Sequence, residues 1–360
     1  MDHRLRRGRL GERLPALGLD ALIVTRLPNV RYLSGFTGSN GQAVVAADGS
    51  AVFLTDGRYE EQSSHEVPDV PRVAYTEGYP RPLVEASRTL GASRVGFERR
   101  GLTYAGWERL SEVAEGLELV PADDVVEALR RAKDPEEIRL IARAQGFADQ
   151  AFEKVVLNGG LRAGVTERQL ARELEDAMLD AGAEDRGFDS IVAFGANAAE
   201  PHHHVTDRGL ARGDLVKLDF GARSDGYHSD MTRTVAFGEP EPRLREIRDV
   251  VAQAQRAGVA AVRPGVSSVD VDAAARSVIA AAGLADAFPH GLGHGVGLEI
   301  HEDPFLRWDA GEDLVEGMVV TIEPGVYIPG LGGVRIEDMV EVTADGGREI
   351  PRSTRELIVL

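Results

Sequence analysis

The sequence predicts a two-domain protein of the mixed α/β (α+β) class. Its 360 residues exceed the size of one ordinary domain, and 43% of them are hydrophobic, which is enough for two cores. In the first third of the chain, short apolar segments alternate with segments of helical periodicity. A charged segment with a strong helix start separates this part from a larger remainder in which both patterns recur.

The first predicted domain spans residues 1–125. Ala21–Thr25 is a short apolar run that contains β-branched residues, as strands do. Segments 42–46 and 51–55 predict a strand pair, because Asp48-Gly49 between them is typical of a tight turn. Helical periodicity follows at 82–90 and 104–115.

The predicted linker lies near residues 122–134 and ends where a helix begins. Asp134 can cap that helix, and Pro135 suits its first position. Residues 126–360 therefore form the second predicted domain. Its predicted helices are 135–157, 166–182, 242–262 and 267–283, and its predicted strands are 190–194, 214–220, 230–237, 318–323 and 334–342.

Composition narrows the function. The net charge is −18, from 41 basic and 59 acidic residues, whereas a nucleic-acid binder needs a basic face. The chain has no cysteine, so any metal site must use His, Asp and Glu. Glu12, Arg13 and Asp20 interrupt the segment after the basic N-terminus, and no uncharged apolar run approaches the roughly 18 residues of a membrane span. We expect a soluble, cytoplasmic protein that binds neither nucleic acid nor membrane.

Two aspartates flank a predicted turn. Asp219 stands near the end of LVKLDFG and Asp230 opens DMTRTVAF, with Asp225-Gly226 between them as turn material. Two antiparallel strands joined by this loop would present both carboxylates at the same end. Taken singly, an aspartate at a strand end more often forms a turn or caps a backbone group.

A glycine-rich run, PHGLGHGVGLEIHE over residues 289–302, contains His290, His294 and His301. Glycine permits tight backbone paths, and histidine suits metal binding or proton transfer near neutral pH. A single histidine is more often structural. Three of the chain's nine histidines within this one run favour a functional site.

Two glutamates follow or interrupt apolar strands. Glu323 ends the run VVTIE before a Pro-Gly turn, and Glu337 lies inside the predicted strand 334–342. A buried glutamate is costly unless it is paired or bound to metal. Because side chains alternate along a strand, Arg335 and Glu337 share a face, so an exposed Arg335–Glu337 ion pair is an equal alternative.

Together these residues predict a metal site. Oxygen ligands with one imidazole suit Mn²⁺, Co²⁺ or Zn²⁺. Two such ions about 3.5–4 Å apart can share carboxylates and activate a water molecule. We predict two divalent metal ions, with Mn²⁺ favoured, held by Asp219, Asp230, His294, Glu323 and Glu337.

A histidine cluster, His202-His203-His204, follows Glu200-Pro201 in a polar loop after the predicted strand 190–194. Such a cluster can bind metal or place one catalytic histidine at the site. At least one of the three is expected to be exposed to solvent. The roles of His203 and His204 stay open.

The motifs DFGA, DMTRT, HGLGHGVGLEIHE, TIEPG and VRIEDM occur in an order that resembles the pita-bread metallopeptidases of family M24, over about residues 135–360. NVRYLSGFTGS at 29–39 and TDGRY at 55–59 resemble the N-terminal domain of the creatinase and prolidase branch. The resemblance implies a small creatinase-like domain followed by a pita-bread domain, in which helices flank a curved antiparallel sheet. It also implies an Xaa-Pro peptidase, either a prolidase or an aminopeptidase P.

The resemblance implies a role for each matching residue. Asp219 would chelate one metal ion, and Asp230 and Glu337 would bridge both. His294 and Glu323 would complete the second ion, and Glu323 would also exchange a proton as activated hydroxide attacks the scissile carbonyl. The remaining implied catalytic and substrate-binding residues are His202, His301, His290, Arg335, Tyr227 and Tyr327.

Three alternatives share the fold. A methionine aminopeptidase usually lacks the creatinase-like first domain. A metal-free creatinase-like enzyme lacks the full ligand set, and a non-catalytic binding protein of this fold has lost ligands. Metal analysis combined with a proline-peptide cleavage assay separates these alternatives from the Xaa-Pro peptidase.

The sequence leaves the length of the substrate open. Some dipeptide-specific relatives carry an arginine four residues beyond the histidine that His301 matches, where it can hold a free carboxylate. This chain has Phe305 there, and its nearest arginine is Arg307. Dipeptides and longer peptides therefore both remain candidate substrates. The resemblance further implies a homodimer.

Overall fold

The computed structural model describes residues 1–309 and 311–360, which divide into two compact units, Met1–Arg130 and Arg131–Leu360. The division falls inside segment 122–134. The first unit extends beyond residue 125 because Glu127 and Arg130 bond to its own side chains. Asn29 donates to Glu127 Oε1 and accepts from Arg130 Nη1, both at 2.7 Å.

The first unit is built around one mixed sheet. Its helices are α1 (His3–Arg13), α2 (Leu27–Ser34), α3 (Glu60–Glu66), α4 (Pro80–Thr89), α5 (Tyr104–Val113) and α6 (Glu127–Arg130). Its strands are β1 (Ala21–Val24), β2 (Gly41–Ala46), β3 (Ala51–Asp56), β4 (Arg72–Tyr75), β5 (Arg94–Glu98) and β6 (Glu118–Ala122). They lie in the order β4-β3-β2-β1-β5-β6. The predicted pair β2–β3 is confirmed as antiparallel, with Val45 opposite Ala51.

The second unit contains four longer helices among its described residues, 131–309 and 311–360. They are α7 (Pro135–Ala151), α8 (Glu167–Asp180), α9 (Pro242–Ala261) and α10 (Ser268–Ala281). Its strands are β7 (Asp185–Arg186), β8 (Ile191–Phe194), β9 (Asp214–Phe220), β10 (Ala222–Ser224), β11 (Tyr227–His228), β12 (Met231–Phe237), β13 (Gly293–Gly295), β14 (Glu302–Leu306), β15 (Val319–Ile322), β16 (Gly325–Ile328), β17 (Gly332–Arg335), β18 (Asp338–Thr343) and β19 (Gly346–Glu349). The predicted start of α7 is confirmed, because Asp134 Oδ1 accepts from the Glu136 and Glu137 amides.

The strands of the second unit pair antiparallel in several sheets. Two of these carry most of the site, in the orders β12-β9-β8 and β14-β13-β15-β18-β19. Helices α7 and α8 pack with the first of these sheets, and α9 and α10 pack with the second, so each sheet buries an apolar face. The mixed α/β class predicted from the sequence is confirmed.

The prediction of a single strand over residues 334–342 is wrong. The chain leaves β17 after Arg335 and enters β18 at Asp338, which belongs to a different sheet. Between them, the Glu337 amide donates to the Thr232 carbonyl of β12 at 3.1 Å. Glu337 therefore sits where the chain crosses between sheets, a position that an apolar pattern running through both strands cannot reveal.

Across the described residues, each helix is either too short or too polar to cross a lipid bilayer.

Asp338 anchors the crossing that positions Glu337. It is fully buried and accepts from Arg233 Nη2 at 2.8 Å, from Gln255 Nε2 at 2.6 Å and from Arg355 Nε. We expect Asp338→Ala to lower the free energy of unfolding by about 3–5 kcal/mol, because it leaves Arg233 buried without its carboxylate. Urea denaturation of the metal-free protein measures this loss. The matched control, Glu246→Ala, breaks an exposed pair with Arg243 and should cost about 0–1 kcal/mol. Equal losses in the two variants would contradict this role for Asp338.

Candidate metal centre

The five predicted ligands line one cavity of about 290 Å³ in the second unit. Asp219, Asp230, His294 and Glu337 are each between 2% and 8% exposed, so their polar groups are withdrawn from bulk water. The fifth predicted ligand is Glu323. The other lining residues are Phe188, Ile191, Pro201, His202, His290, Gly291, Gly293, Ile300, His301, Phe305, Arg307 and Arg335.

The two aspartates come from neighbouring strands, as the sequence predicts. Strands β9 and β12 pair antiparallel, with Asp219 opposite Thr232. Asp230 precedes Thr232 by two residues, so side-chain alternation places it on the same face as Thr232. The hairpin β10–β11 occupies the connection between the two strands.

His294 lies in β13, which is hemmed in by β14 and β15. A Cβ on Gly293 would lie 2.0 Å from the Thr321 carbonyl oxygen, and one on Gly295 would lie 2.5 Å from the Asp303 carbonyl oxygen. Both contacts are far inside van der Waals distance. Glycine on either side of His294 is therefore what lets this strand pass close enough to its neighbours to deliver the imidazole.

The hydrogen bonds of His294 fix its tautomer. Nδ1 lies 3.0 Å from the Gly295 carbonyl oxygen, which can only accept, so Nδ1 carries the proton. The lone pair of Nε2 then faces Asp230 Oδ2 at 3.7 Å and Glu323 Oε1 at 3.5 Å. Burial and the neighbouring His301 lower the pKa of His294 to about 3, so the ring is neutral and can bind a metal ion.

Glu337 and Glu323 both lie near His294, and different segments of the chain position them. Glu337 joins Asp230 and His294 in a group whose ligand atoms all lie within 4.8 Å of one another. Glu323 follows β15, where the Thr321 hydroxyl donates to its Oε1 at 3.3 Å and accepts from the His294 amide at 3.0 Å. The Thr232 hydroxyl donates to Glu337 Oε2 at 2.7 Å.

Arg335 connects the acidic groups to Tyr327. Its guanidinium donates to Asp219 Oδ2, to the Thr232 hydroxyl at 3.0 Å and to the Tyr327 hydroxyl at 2.9 Å. Arg335 and Glu337 are each only 2% exposed. The alternative of an exposed Arg335–Glu337 pair on a strand face is therefore wrong.

Three of the acidic groups, Asp230, Glu323 and Glu337, are buried together, and burial raises their affinity for protons. Burial, followed by repulsion from the neighbouring carboxylates, raises the pKa of Asp230 and of Glu337. Burial raises the pKa of Glu323 to about 8. Ionising all of these groups together at neutral pH therefore requires additional positive charge.

The donor set fits divalent cations. Within the described part of the chain, the buried Oδ1 of Asp219 has no hydrogen-bond partner, although an unpartnered buried carboxylate oxygen is costly. Asp219 lines the same cavity as His294. Hard oxygen donors with one neutral imidazole are the ligands that Mn²⁺, Co²⁺ and Zn²⁺ accept.

The other predicted histidines line the cavity above these groups. His290 Nδ1 lies 2.8 Å from the Gly291 carbonyl oxygen, so its Nε2 accepts from the Tyr327 hydroxyl at 2.9 Å. The His301 ring packs against His294 with centroids 4.4 Å apart. His202 and His301 are both exposed to solvent at the cavity, where they can meet a ligand.

Four of the residues singled out from the sequence lie apart from the cavity lining, and one of them is Tyr327, which is buried and bonds His290 and Arg335. Tyr227, predicted as a pocket wall, is buried in β11 and donates to Glu137 Oε1 on α7 at 2.8 Å. It faces α7 because the β10–β11 hairpin belongs to a different sheet from β9 and β12. His203 is buried against Glu167 at 2.9 Å, and His204 is exposed outside the lining.

The sequence-based prediction missed Thr232 and Thr321, which orient Glu337 and Glu323. Each lies two residues from a predicted ligand along a strand, so period-two alternation next to Asp230 and Glu323 is the signal that finds them. It also missed the apolar walls Phe188, Ile191 and Ile300, for which no polar pattern exists.

Comparison with known proteins identifies the family. Residues 139–344 match metallopeptidase family M24, and residues 6–132 match the creatinase/prolidase N-terminal domain. The chain belongs to metallopeptidase family M24. The predicted family, fold class and metallopeptidase activity are thereby confirmed.

Several relatives of this M24 chain match it along almost its full length. The uncharacterized peptidase YqhT of Bacillus subtilis is 43% identical, over 96% of this chain and 97% of that protein. The structure of an Xaa-Pro dipeptidase from Bacillus anthracis is 38% identical, with a TM-score of 0.96 and full coverage of both chains. That of an X-Pro aminopeptidase from Thermotoga maritima is 33% identical, with a TM-score of 0.88, over 97% of this chain and 100% of that one.

We expect metal binding to release protons, because the pKa of Glu323, about 8, keeps this group largely protonated in the metal-free protein at neutral pH, and the pKa values of Asp230 and Glu337 are raised as well. Metal affinity should therefore rise as the pH rises toward the Glu323 pKa of about 8. Titration calorimetry with Mn²⁺ in Pipes and in Tris at pH 7 counts the protons, of which we expect about one or more per protein molecule. Glu323→Gln should reduce this number. Uptake of protons, or heats that do not depend on the buffer, would contradict the raised pKa values.

Proposed function

We propose that this M24 metallopeptidase is an exopeptidase that hydrolyses the Xaa-Pro bond at the N-terminus of dipeptides or short peptides. The observation that carries the proposal is the convergence of Asp219, Asp230, His294, Glu323 and Glu337 on one cavity that His202 and His301 also line. The names of the Bacillus anthracis and Thermotoga maritima relatives support the Xaa-Pro substrate.

The five residues would hold two divalent metal ions, which we propose to be Mn²⁺. When bound, such ions supply Lewis acidity, which polarises a carbonyl and lowers the pKa of water. The ionised side chains of Asp219, Asp230, Glu323 and Glu337 would balance their charge. The neutral His294 contributes its Nε2 lone pair, which the Nδ1–H bond to Gly295 keeps aimed into the cavity.

Glu323 is the group we assign to proton transfer. Its Oε1 is held by the Thr321 hydroxyl, while its Oε2 lies 4.0 Å from Arg335 Nε. This Oε2 can accept a proton from the attacking water and return it to the nitrogen that leaves as the imide bond breaks. The nitrogen of an Xaa-Pro bond, like that of any amide, must gain this proton to depart as an amine.

The remaining lining residues would bind the substrate. His202 and His301 can donate hydrogen bonds to the carbonyl oxygen as negative charge develops on it. Phe188, Ile191 and Ile300 offer apolar surface against which a proline ring can pack. His290 lines the cavity, whereas Tyr327 is buried outside the lining, and the Tyr327 hydroxyl already bonds His290 and Arg335 rather than a substrate.

The length of the peptide depends on the mouth of the cavity. Phe305 and Arg307 both line it, and both are exposed. The Arg307 guanidinium pairs with Asp309 at 2.8 Å, and this pairing weakens its attraction for a substrate carboxylate. The proposal therefore includes both dipeptides and short peptides. The predicted homodimer and the predicted cytoplasmic location stay predictions.

The test is cleavage of Ala-Pro and Ala-Pro-Ala by protein stripped of metal and reloaded with Mn²⁺, Co²⁺ or Zn²⁺, with Ala-Ala as the control substrate. We expect cleavage before proline, little cleavage of Ala-Ala and none without metal. Glu323→Ala should lower turnover by about 100-fold or more and weaken metal retention, because it removes a ligand and the proton acceptor. Glu316→Ala, at an exposed glutamate, is the matched control.

Failure to cleave either proline peptide with any of the three metals would overturn the proposed function. Near-normal turnover by Glu323→Ala would overturn the role of that residue.

A further inference from the structure

Lysine is rare in this chain. Lys133, Lys154 and Lys217 are the only lysines among its 41 basic residues, and all of the others are arginines. Lys217 lies in the middle of β9 and is completely buried. Side-chain alternation places it on the same face as Asp219, two residues further along the strand. A buried ammonium at this position needs an explanation, because burying a charge is costly unless its donors are satisfied.

The donors of Lys217 are satisfied by a single backbone segment. Nζ donates to the carbonyl oxygens of Ala198 at 3.2 Å, of Glu200 and of Pro201 at 3.3 Å. The ammonium also lies 5.1 Å from the centre of the Tyr327 ring. Burial and the charge of Arg335 lower the pKa of Lys217 to about 6, whereas three carbonyl acceptors favour its ammonium form.

The shape of the cation accounts for the choice of lysine. An ammonium is a compact point charge whose three donors diverge, which suits three carbonyls that curve around one point. A guanidinium is a larger planar fork that suits carboxylates. In a chain that otherwise relies on arginine, this segment therefore requires the smaller cation.

The segment that Lys217 holds leads directly into the cavity. His202 follows Pro201, and its exposed side chain lines the cavity. The Pro201 carbonyl also accepts from Arg335 Nη1 at 3.1 Å, so the residue before His202 is bonded to the group that contacts Asp219. The loop is thus tied to β9 and to the acidic groups at the same point.

A second buried charge holds the other side of this loop. Glu167 at the start of α8 accepts from the Phe194 amide, from the Asn197 side chain and from His203 Nε2, all at 2.9 Å. It also accepts from the Thr206 amide at 3.0 Å. The backbone on both sides of His202 is therefore anchored, while the His202 side chain projects between the anchors.

We propose that Lys217 is a positioning residue for hydrolysis, which fixes the backbone of residues 198–201 so that His202 meets the substrate. This inference rests on the proposed function. Lys217 acts through His202, because its own ammonium is enclosed by backbone carbonyls and is not among the lining residues of the cavity.

The kinetic test compares Lys217→Met with the wild type and with His202→Ala. We expect Lys217→Met to retain its metal and to lower kcat for Ala-Pro cleavage by about 10- to 100-fold, since a small displacement of a catalytic group has this effect. In the His202→Ala background the same substitution should cause no further loss, because residues that act through one another are not additive. Lys154→Met is the control, since Lys154 is exposed and pairs with Asp180 at 2.9 Å.

Hydrogen exchange supplies a measurement that does not depend on activity. In the metal-free protein, Lys217→Met should speed amide exchange in residues 196–206, while exchange in α9 and α10 stays unchanged. If Lys217→Met fails to fold, Lys217→Arg retains the charge and takes the same tests. It should show the same losses, because the guanidinium cannot serve the three carbonyls.

Three results would overturn the inference: wild-type kcat in Lys217→Met, an equal loss of kcat in the His202→Ala background, or unchanged exchange in 196–206. Failure of the wild type to cleave any proline peptide would instead overturn the proposed function. The exchange measurement would still decide whether Lys217 holds the loop.

Discussion

Burial of four carboxylates in one cavity is the constraint on which the site depends. Asp219, Asp230, Glu323 and Glu337 repel one another where water cannot screen them, and burial raises the pKa of the last three. Arg335 is the cation that meets this charge directly, through Asp219, and its other donors tie the acidic groups to Tyr327 and to the Pro201 carbonyl. One guanidinium does not balance four ionised carboxylates, so all four can be ionised together only if further cations bind.

Backbone placement, more than side-chain chemistry, brings these groups together. Asp219 and Asp230 meet because β9 and β12 are paired strands. His294 reaches them because glycines on both sides let β13 pass between its neighbours. Glu337 reaches them because the chain crosses there from one sheet to another. The predicted ligands thus depend on three different backbone features, and the hydroxyls of Thr232 and Thr321 bond to the two glutamates.

The sequence predicted the parts that follow from local pattern. Alternation and turn residues located β9 and β12, and the glycine-rich run located His290, His294 and His301. It failed where the structure depends on contacts distant in sequence. The break at Glu337 follows from a hydrogen bond to β12, more than 100 residues earlier. Tyr227 faces α7 because its hairpin joins another sheet, and no local pattern in the predicted strand 214–220 marks the carbonyl oxygens that surround Lys217.

The central claim is that the five buried groups bind two metal ions. Crystals grown with Mn²⁺, measured on both sides of the manganese absorption edge, test it most directly. The account predicts two anomalous peaks enclosed by Asp219, Asp230, His294, Glu323 and Glu337, with Asp219 Oδ1 among the ligands. An absence of peaks in this cavity, or peaks elsewhere alone, would contradict it.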